Sequence, residues 1–193
     1  MQRKLVAMVL AVGLVTTANA TVLSDEVAKI KAATARYQDV NVALSEGFIP
    51  DPSGVCVSAA GSGLPADMGA MGIHYLNPGL LGLLPPGGRV DGTGTNVDFS
   101  APSILLYEPQ ADGSLELVGV ENLIFQAAWA AAGNSAPPMF AGAAWYAMAD
   151  DAATGGDEAH GFAPHYDQHV WSQRENLMSA VVPFNPNVSC DKK

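Results

Sequence analysis

The stretch SILLYEPQADGSLELVGVE, Ser103 to Glu121, contains two β-prone runs, Ser103–Tyr107 and Leu115–Val120, joined by a link that includes Pro109 and Asp112-Gly113. Asp-Gly readily supplies the positive backbone angles a tight link needs, so the two runs are expected to pair as an antiparallel hairpin. The texture around the hairpin is the same. From Pro50 onward, short apolar runs are broken by Gly, Pro, Asn and Asp, the pattern of a β-rich region with many turns. Val55–Ser58, Gly72–Leu76 and His165–Trp171 read as further short strands, and Ala180–Cys190 reads as an extended tail. Gly79–Gly88 is expected to be a loop over an apolar surface, and Ala149–Gly161 a surface loop. The alanine-rich segment from Asn122 to about Gly133-Asn134 suggests a short helix.

Ahead of these strands one amphipathic helix is expected. After Ser24, a good N-cap, apolar residues recur at Val27, Ile30, Ala33, Tyr37, Val40 and Leu44, and Gly47 follows as a stop. Spacings of three and four predict a continuous helix of about 22 residues with one buried stripe. The fold class is therefore α+β: a long N-terminal helix packed on a mainly antiparallel sheet or small barrel.

The N-terminus has the order of a secretory signal peptide. Arg3 and Lys4 precede an apolar stretch from Leu5 to about Val15, and Ala18-Asn19-Ala20 forms a small-residue junction. That stretch is about half the roughly 20 apolar residues a membrane span needs, so cleavage after Ala20 and a periplasmic or extracellular address are expected, with no membrane anchor. Residues 21–193 would then form one domain of ordinary size. Loss of Arg3 and Lys4 moves the net charge from −10 to −12. An acidic surface without a basic cluster excludes nucleic acid as a partner, because phosphate binding relies on Lys and Arg. Small-molecule or protein partners are left open. The two cysteines, Cys56 and Cys190, form an even count in an exported chain and are expected to be disulfide-bonded.

The strings MGIHYLNP (Met71–Pro78), LLYEP (Leu105–Pro109), LVGVE (Leu117–Glu121), PHYDQHVW (Pro164–Trp171) and FNPNVSC (Phe184–Cys190) resemble an uncharacterised family of small exported bacterial proteins. The resemblance spans most of the chain after residue 20 and implies an exported single domain, without implying a reaction. Asn122 departs from the family pattern, in which an aromatic often follows the glutamate.

Chemistry is concentrated in the polar residues inside these apolar strings. Imidazole is the commonest protein ligand for transition metals, and the chain has four histidines, His74, His160, His165 and His169. His165 and His169 would share an ion on a helix, but four residues of strand span roughly 13 Å. The more economical site takes His74 from one strand, His169 from another and a carboxylate from the hairpin. In LELVGVE, strict alternation puts Leu115, Leu117, Gly119 and Glu121 on one face, so Glu121 continues a mainly apolar row where an acid is costly unless paired or metal-bound. Glu108 shares a face with Ile104 and Leu106 at a strand end open to solvent. The candidate ligands are His74, His169 and Glu121, with His165 and Glu108 as additional ones and zinc, copper or iron as the ion. A rival reading makes the same residues a buried polar network in a non-catalytic envelope module.

Other chemistries lack their signatures. There is no GxSxG elbow, no GxxxxGK[ST] loop and no GxGxxG after a strand. The methionines are too scattered for a copper-carrying motif.

Overall fold

The computed structural model describes residues 20, 22–153, 157 and 159–191. The expected signal peptide therefore falls outside the described residues up to residue 19. Among the described residues no helix is long and apolar enough to cross a membrane.

The hairpin forms the centre of the sheet. Strands β4 (Ile104–Pro109) and β5 (Leu115–Phe125) pair antiparallel, from Ile104 opposite Glu121 to Pro109 opposite Leu115. The link closes as the sequence suggested: Gly113 has φ +84°, its N–H donates to Gln110 O at 3.0 Å, and the Asp112 carboxylate accepts from Ser114 N at 2.9 Å. Five further strands complete a seven-stranded sheet: β1 (Ile49–Pro50), β2 (Cys56–Ser58), β3 (Ala70–Leu76), β8 (Tyr146–Met148) and β9 (His165–Val170). Its order is β1-β3-β4-β5-β9-β8, with β2 beside β1 on the outer edge of β3, and every pairing is antiparallel. A separate ribbon joins β6 (Met139–Phe140) to β7 (Ala143–Ala144). The main sheet is open, with edges at β1/β2 and β8, rather than a barrel.

The helix differs from the expected continuous rod. It is α-helical over residues 22–34 (α1), tightens to a 3-10 turn at Ala35–Gln38, breaks at extended Asp39 and resumes as α2 (Val40–Ser45). Asp39 caps the new start by accepting from Asn41 N at 2.9 Å. The break is held from outside: Arg36 donates to both carboxylate oxygens of Glu46 at 3.0 and 3.1 Å, and the Tyr37 hydroxyl donates to Glu46 at 2.6 Å. It also resets the buried stripe. Ile30, Tyr37 and Ala43 are buried, whereas Leu44, which a continuous helix would bury, is exposed.

Each face of the sheet has its own core. Ile30, Tyr37, Ala43 and Phe48 pack on Leu105, Tyr107, Leu117, Val120, Ile124 and Val170. On the opposite face Ile104, Leu106, Val118, Leu123 and Phe125 pack against Leu81 of α3 (Pro78–Leu81), Trp171 and Val188. The helix thus covers one face, and the chain after β9 covers the other. The disulfide joins Cys56 on the sheet edge to Cys190 at the end of this covering segment, with Cα atoms 5.6 Å apart.

Three expectations are corrected. The pairing slips between Leu106 and Tyr107, whose partners are Gly119 and Leu117, so Val118 is an extra residue and a bulge. Alternation is broken there: Leu117 lies in the helix-side core and Val118 in the other, so Glu121 does not share a face with Leu117. The run from Asn122 begins as strand, because β5 continues to Phe125 and only Gln126–Ala131 is helical (α4). Asn122 is tied into the sheet instead, its carbonyl accepting from Ser103 N and Oγ at 2.7 and 3.0 Å. Ala180–Cys190 contains no regular strand, only a single bridge from Asn185 to Ala70.

Candidate metal centre

The site lies on the face opposite the helix. Glu121 on β5 pairs directly with His169 on β9, so both side chains leave the same face. His74 on β3 pairs with Leu106, and Glu121 pairs with Ile104, so β4 runs between the two and Ile104 and Leu106 form an apolar floor. Two strand spacings separate His74 from Glu121, so their side chains must lean towards each other over that floor. Gly119 leaves room beside it: a Cβ there would lie 3.1 Å from the Trp171 ring and 3.0 Å from Val170 O.

The tips meet. His74 Nε2 lies 3.3 Å from Glu121 Oε2, and His169 Nε2 lies 3.5 Å from the same oxygen. One ligand atom from each of the three residues falls within 4.8 Å of the others, and the group could hold a metal ion. Bonds of about 2.0 to 2.2 Å set ligand atoms roughly 3 to 4 Å apart around one ion, close to the spacings to Glu121. His169 is 2% exposed and Glu121 4%, while His74 is half-buried on the more open side. Trp171 stacks on His169 with ring centroids 6.3 Å apart and planes 24° apart, and its indole N–H donates to Val182 O at 2.7 Å.

The polar atoms are unusual in what they lack. Neither nitrogen of His169 nor Glu121 Oε2 has a hydrogen-bond partner in the protein. Buried polar atoms are paired in the great majority of cases, so two orphans, Glu121 Oε2 and His169 Nε2, meeting at one point call for an explanation. Burial pushes the Glu121 carboxyl up, but attraction to His169, His74 and, further off, His165 outweighs it and holds the group below its ordinary range. Burial holds His169 below the usual histidine value, more than Glu121 raises it.

The structure does not bring the two additional candidates to this point. His165 is buried on the same face four residues along β9, its Nδ1 2.9 Å from Ala163 O and its ring against Phe125 and Phe162. Glu108, expected at a solvent-open strand end, is 0% exposed. Its carboxylate accepts from Arg174 Nη2 and from Ser189 N, both at 2.8 Å, and so anchors the covering segment. His160 is exposed in the loop that Arg89 ties down through Asp150 and Asp157. One neighbour escaped the sequence reading. Asp167 precedes His169 by two residues and pairs with Leu123, which places it on the same face and diagonal to Glu121. Burial, and then Glu121, push its carboxyl well above the usual range. The strand alternation that placed His169 was enough to find it.

The chain matches no family model, no curated protein and no solved structure.

Proposed function

We propose that this chain is an exported protein that binds a divalent transition metal, zinc, copper or iron, through His74, Glu121 and His169. The observation that carries the reading is the convergence of two buried orphan atoms, Glu121 Oε2 and His169 Nε2, with the imidazole of His74. The rival reading, a polar network that stiffens the core, gains stability only when its members satisfy one another's hydrogen bonds. Here they do not, and leaving such atoms unmet costs about 1 to 3 kcal/mol apiece. Coordination removes that cost at Glu121 Oε2 and at His169 Nε2. Two imidazoles and one carboxylate also fit the borderline ions that nitrogen and oxygen donors bind, and they leave coordination positions free for water or a substrate.

Export is supported by Arg3 and Lys4 ahead of the apolar run, by the Ala18-Asn19-Ala20 junction and by the Cys56–Cys190 disulfide, a bond retained mainly in oxidising compartments. The test is elemental analysis of protein purified from the periplasm without chelators. About one transition-metal ion per chain is expected, and none in the His74→Ala, His169→Ala double variant. A wild-type protein that carries no metal and takes up none on dialysis against zinc, copper or iron salts would overturn the reading.

A further inference from the structure

We infer that Asp167 is the second carboxylate of this centre, an outer residue whose charge makes the site select divalent over monovalent cations. The inference rests on the metal reading above. The three converging ligands carry one negative charge, that of Glu121. A monovalent cation would therefore make the set neutral, whereas a divalent one would leave a positive charge uncompensated. Glu121 and His169 have almost no contact with water, and an unpaired charge in such a place is costly.

Asp167 is placed to supply the missing charge. On β9 it leaves the same face as His169, about 6.6 Å further along by the rise of two strand residues. Its partner Leu123 lies two residues beyond Glu121, a diagonal relation that sets backbones roughly 7 to 8 Å apart. That range suits a carboxylate that acts on the coordination sphere from outside, through space or through a bound water, and not a fourth inner ligand. The other acid on this face, Glu108, is fully engaged with Arg174 and Ser189. By contrast, among the described residues no hydrogen bond or ion pair commits the Asp167 carboxylate elsewhere. Asp167 lies on the far side of the Glu121–His169 pair from His74, and a divalent cation bound at Glu121 would attract both carboxylates and so offset the repulsion between them. Outer carboxylates of this kind commonly change metal affinity by about 10- to 100-fold.

The experiment measures zinc and silver affinities, in chloride-free buffer, for the full chain and for its Asp167→Asn and Asp167→Glu variants. Asparagine keeps the shape and removes the charge, and glutamate keeps the charge. Zinc affinity is expected to fall about tenfold or more in Asp167→Asn and to stay within about threefold of wild type in Asp167→Glu, with silver affinity in Asp167→Asn changed by less than about threefold. If the wild type binds zinc and Asp167→Asn binds it equally well, or if both substitutions weaken zinc alike, Asp167 has no such role while the metal centre stands. If the wild type binds no zinc, copper or iron, the centre and the inference fall together.

Discussion

Glu121 and His169 face each other across β5 and β9 as a direct cross-strand pair, with Oε2 and Nε2 3.5 Å apart and no hydrogen bond between them. Direct pairs are where a sheet brings side chains closest, and a carboxylate and an imidazole so placed would ordinarily bond. Their failure to do so leaves the pair aligned towards a third body, with His74 closing the set.

The arrangement is costly in the absence of metal, which makes His169→Leu informative. Leucine suits the apolar surroundings supplied by Ile104, Leu106 and Trp171 and removes two buried orphan nitrogens. In chelator-treated protein the variant carrying Glu121→Gln as well, which removes the carboxylate that His169 offsets, should be more stable than wild type by about 1 to 2 kcal/mol in urea unfolding, while zinc uptake is lost. A double variant that is less stable under those conditions would show that Glu121 and His169 support the fold without metal.

Burial depresses His165 as it does His169, and the sign of the resulting pH dependence follows. Below its unfolded value of 6.5, the unfolded chain takes up a proton that the native imidazole refuses until lower pH. The stability associated with the neutral ring is therefore lost as pH falls from 6.5 towards the folded value. Comparison with His165→Gln isolates this effect from that of Asp167, whose raised value acts in the opposite sense. Between pH 7 and 5, with chelator present, wild type should lose more stability than the variant, by at most about 1.4 kcal/mol per pH unit. Parallel urea-midpoint curves for the two proteins would contradict it.

Gly119 tests the shape of the site without touching a ligand. A Cβ there would crowd both Val170 O and the Trp171 ring that stacks on His169. Gly119→Ala should cost about 1 to 3 kcal/mol of stability and weaken zinc binding by displacing the stacked rings, read by calorimetric titration. An alanine variant with wild-type affinity would mean that Trp171 does not position His169.

What the sequence made legible depended on local rules. Asp112-Gly113 between two β-prone runs was enough for the central hairpin, and apolar strings around His74 and His169 were enough to select two of the residues whose tips meet, because both depend on neighbours in the chain. Places set by distant partners were not legible. The bulge at Val118 is filled from outside, its carbonyl accepting from Gln173 N and Arg174 N, so no local pattern marks it. The helix break at Asp39 is held by Glu46, which belongs to the next helical segment's end. Asn122 read as helical from the alanines after it, yet its place in β5 is fixed by Ser103 and His169's strand. Glu108 looked solvent-exposed because Arg174 and Ser189 lie 66 and 81 residues away.

That distant anchoring separates Glu108 from the metal set in an experiment. It is buried at 0% exposure, and its partners Arg174 and Ser189 belong to the segment covering the site's face. Glu108→Gln leaves Arg174 without its buried partner and should cost about 3 kcal/mol in urea unfolding, with zinc affinity within about threefold of wild type. A loss of affinity of about tenfold or more, with stability unchanged, would instead place Glu108 among the ligands.

The disulfide fastens the far end of the same covering segment, so its removal should affect fold and site together. Cys56 and Cys190 are 134 residues apart, and closing a loop of that length lowers the unfolded chain's entropy by the equivalent of about 5 kcal/mol in the simple loop model. The Cys56→Ser, Cys190→Ser double variant should lose about 2 to 5 kcal/mol. Since Val188 and Trp171 share the core beside His169, loosening the tail from Cys190 inward also admits water to the site's apolar wall. Zinc binding by the folded variant should therefore weaken as well, and excess zinc should recover part of the lost stability, because a ligand that binds only the native state stabilises it by mass action. Urea unfolding of the variant with and without zinc measures both effects. A loss of stability that zinc leaves untouched, in a variant that still binds zinc as wild type does, would show that the tail closes the fold without shaping the site.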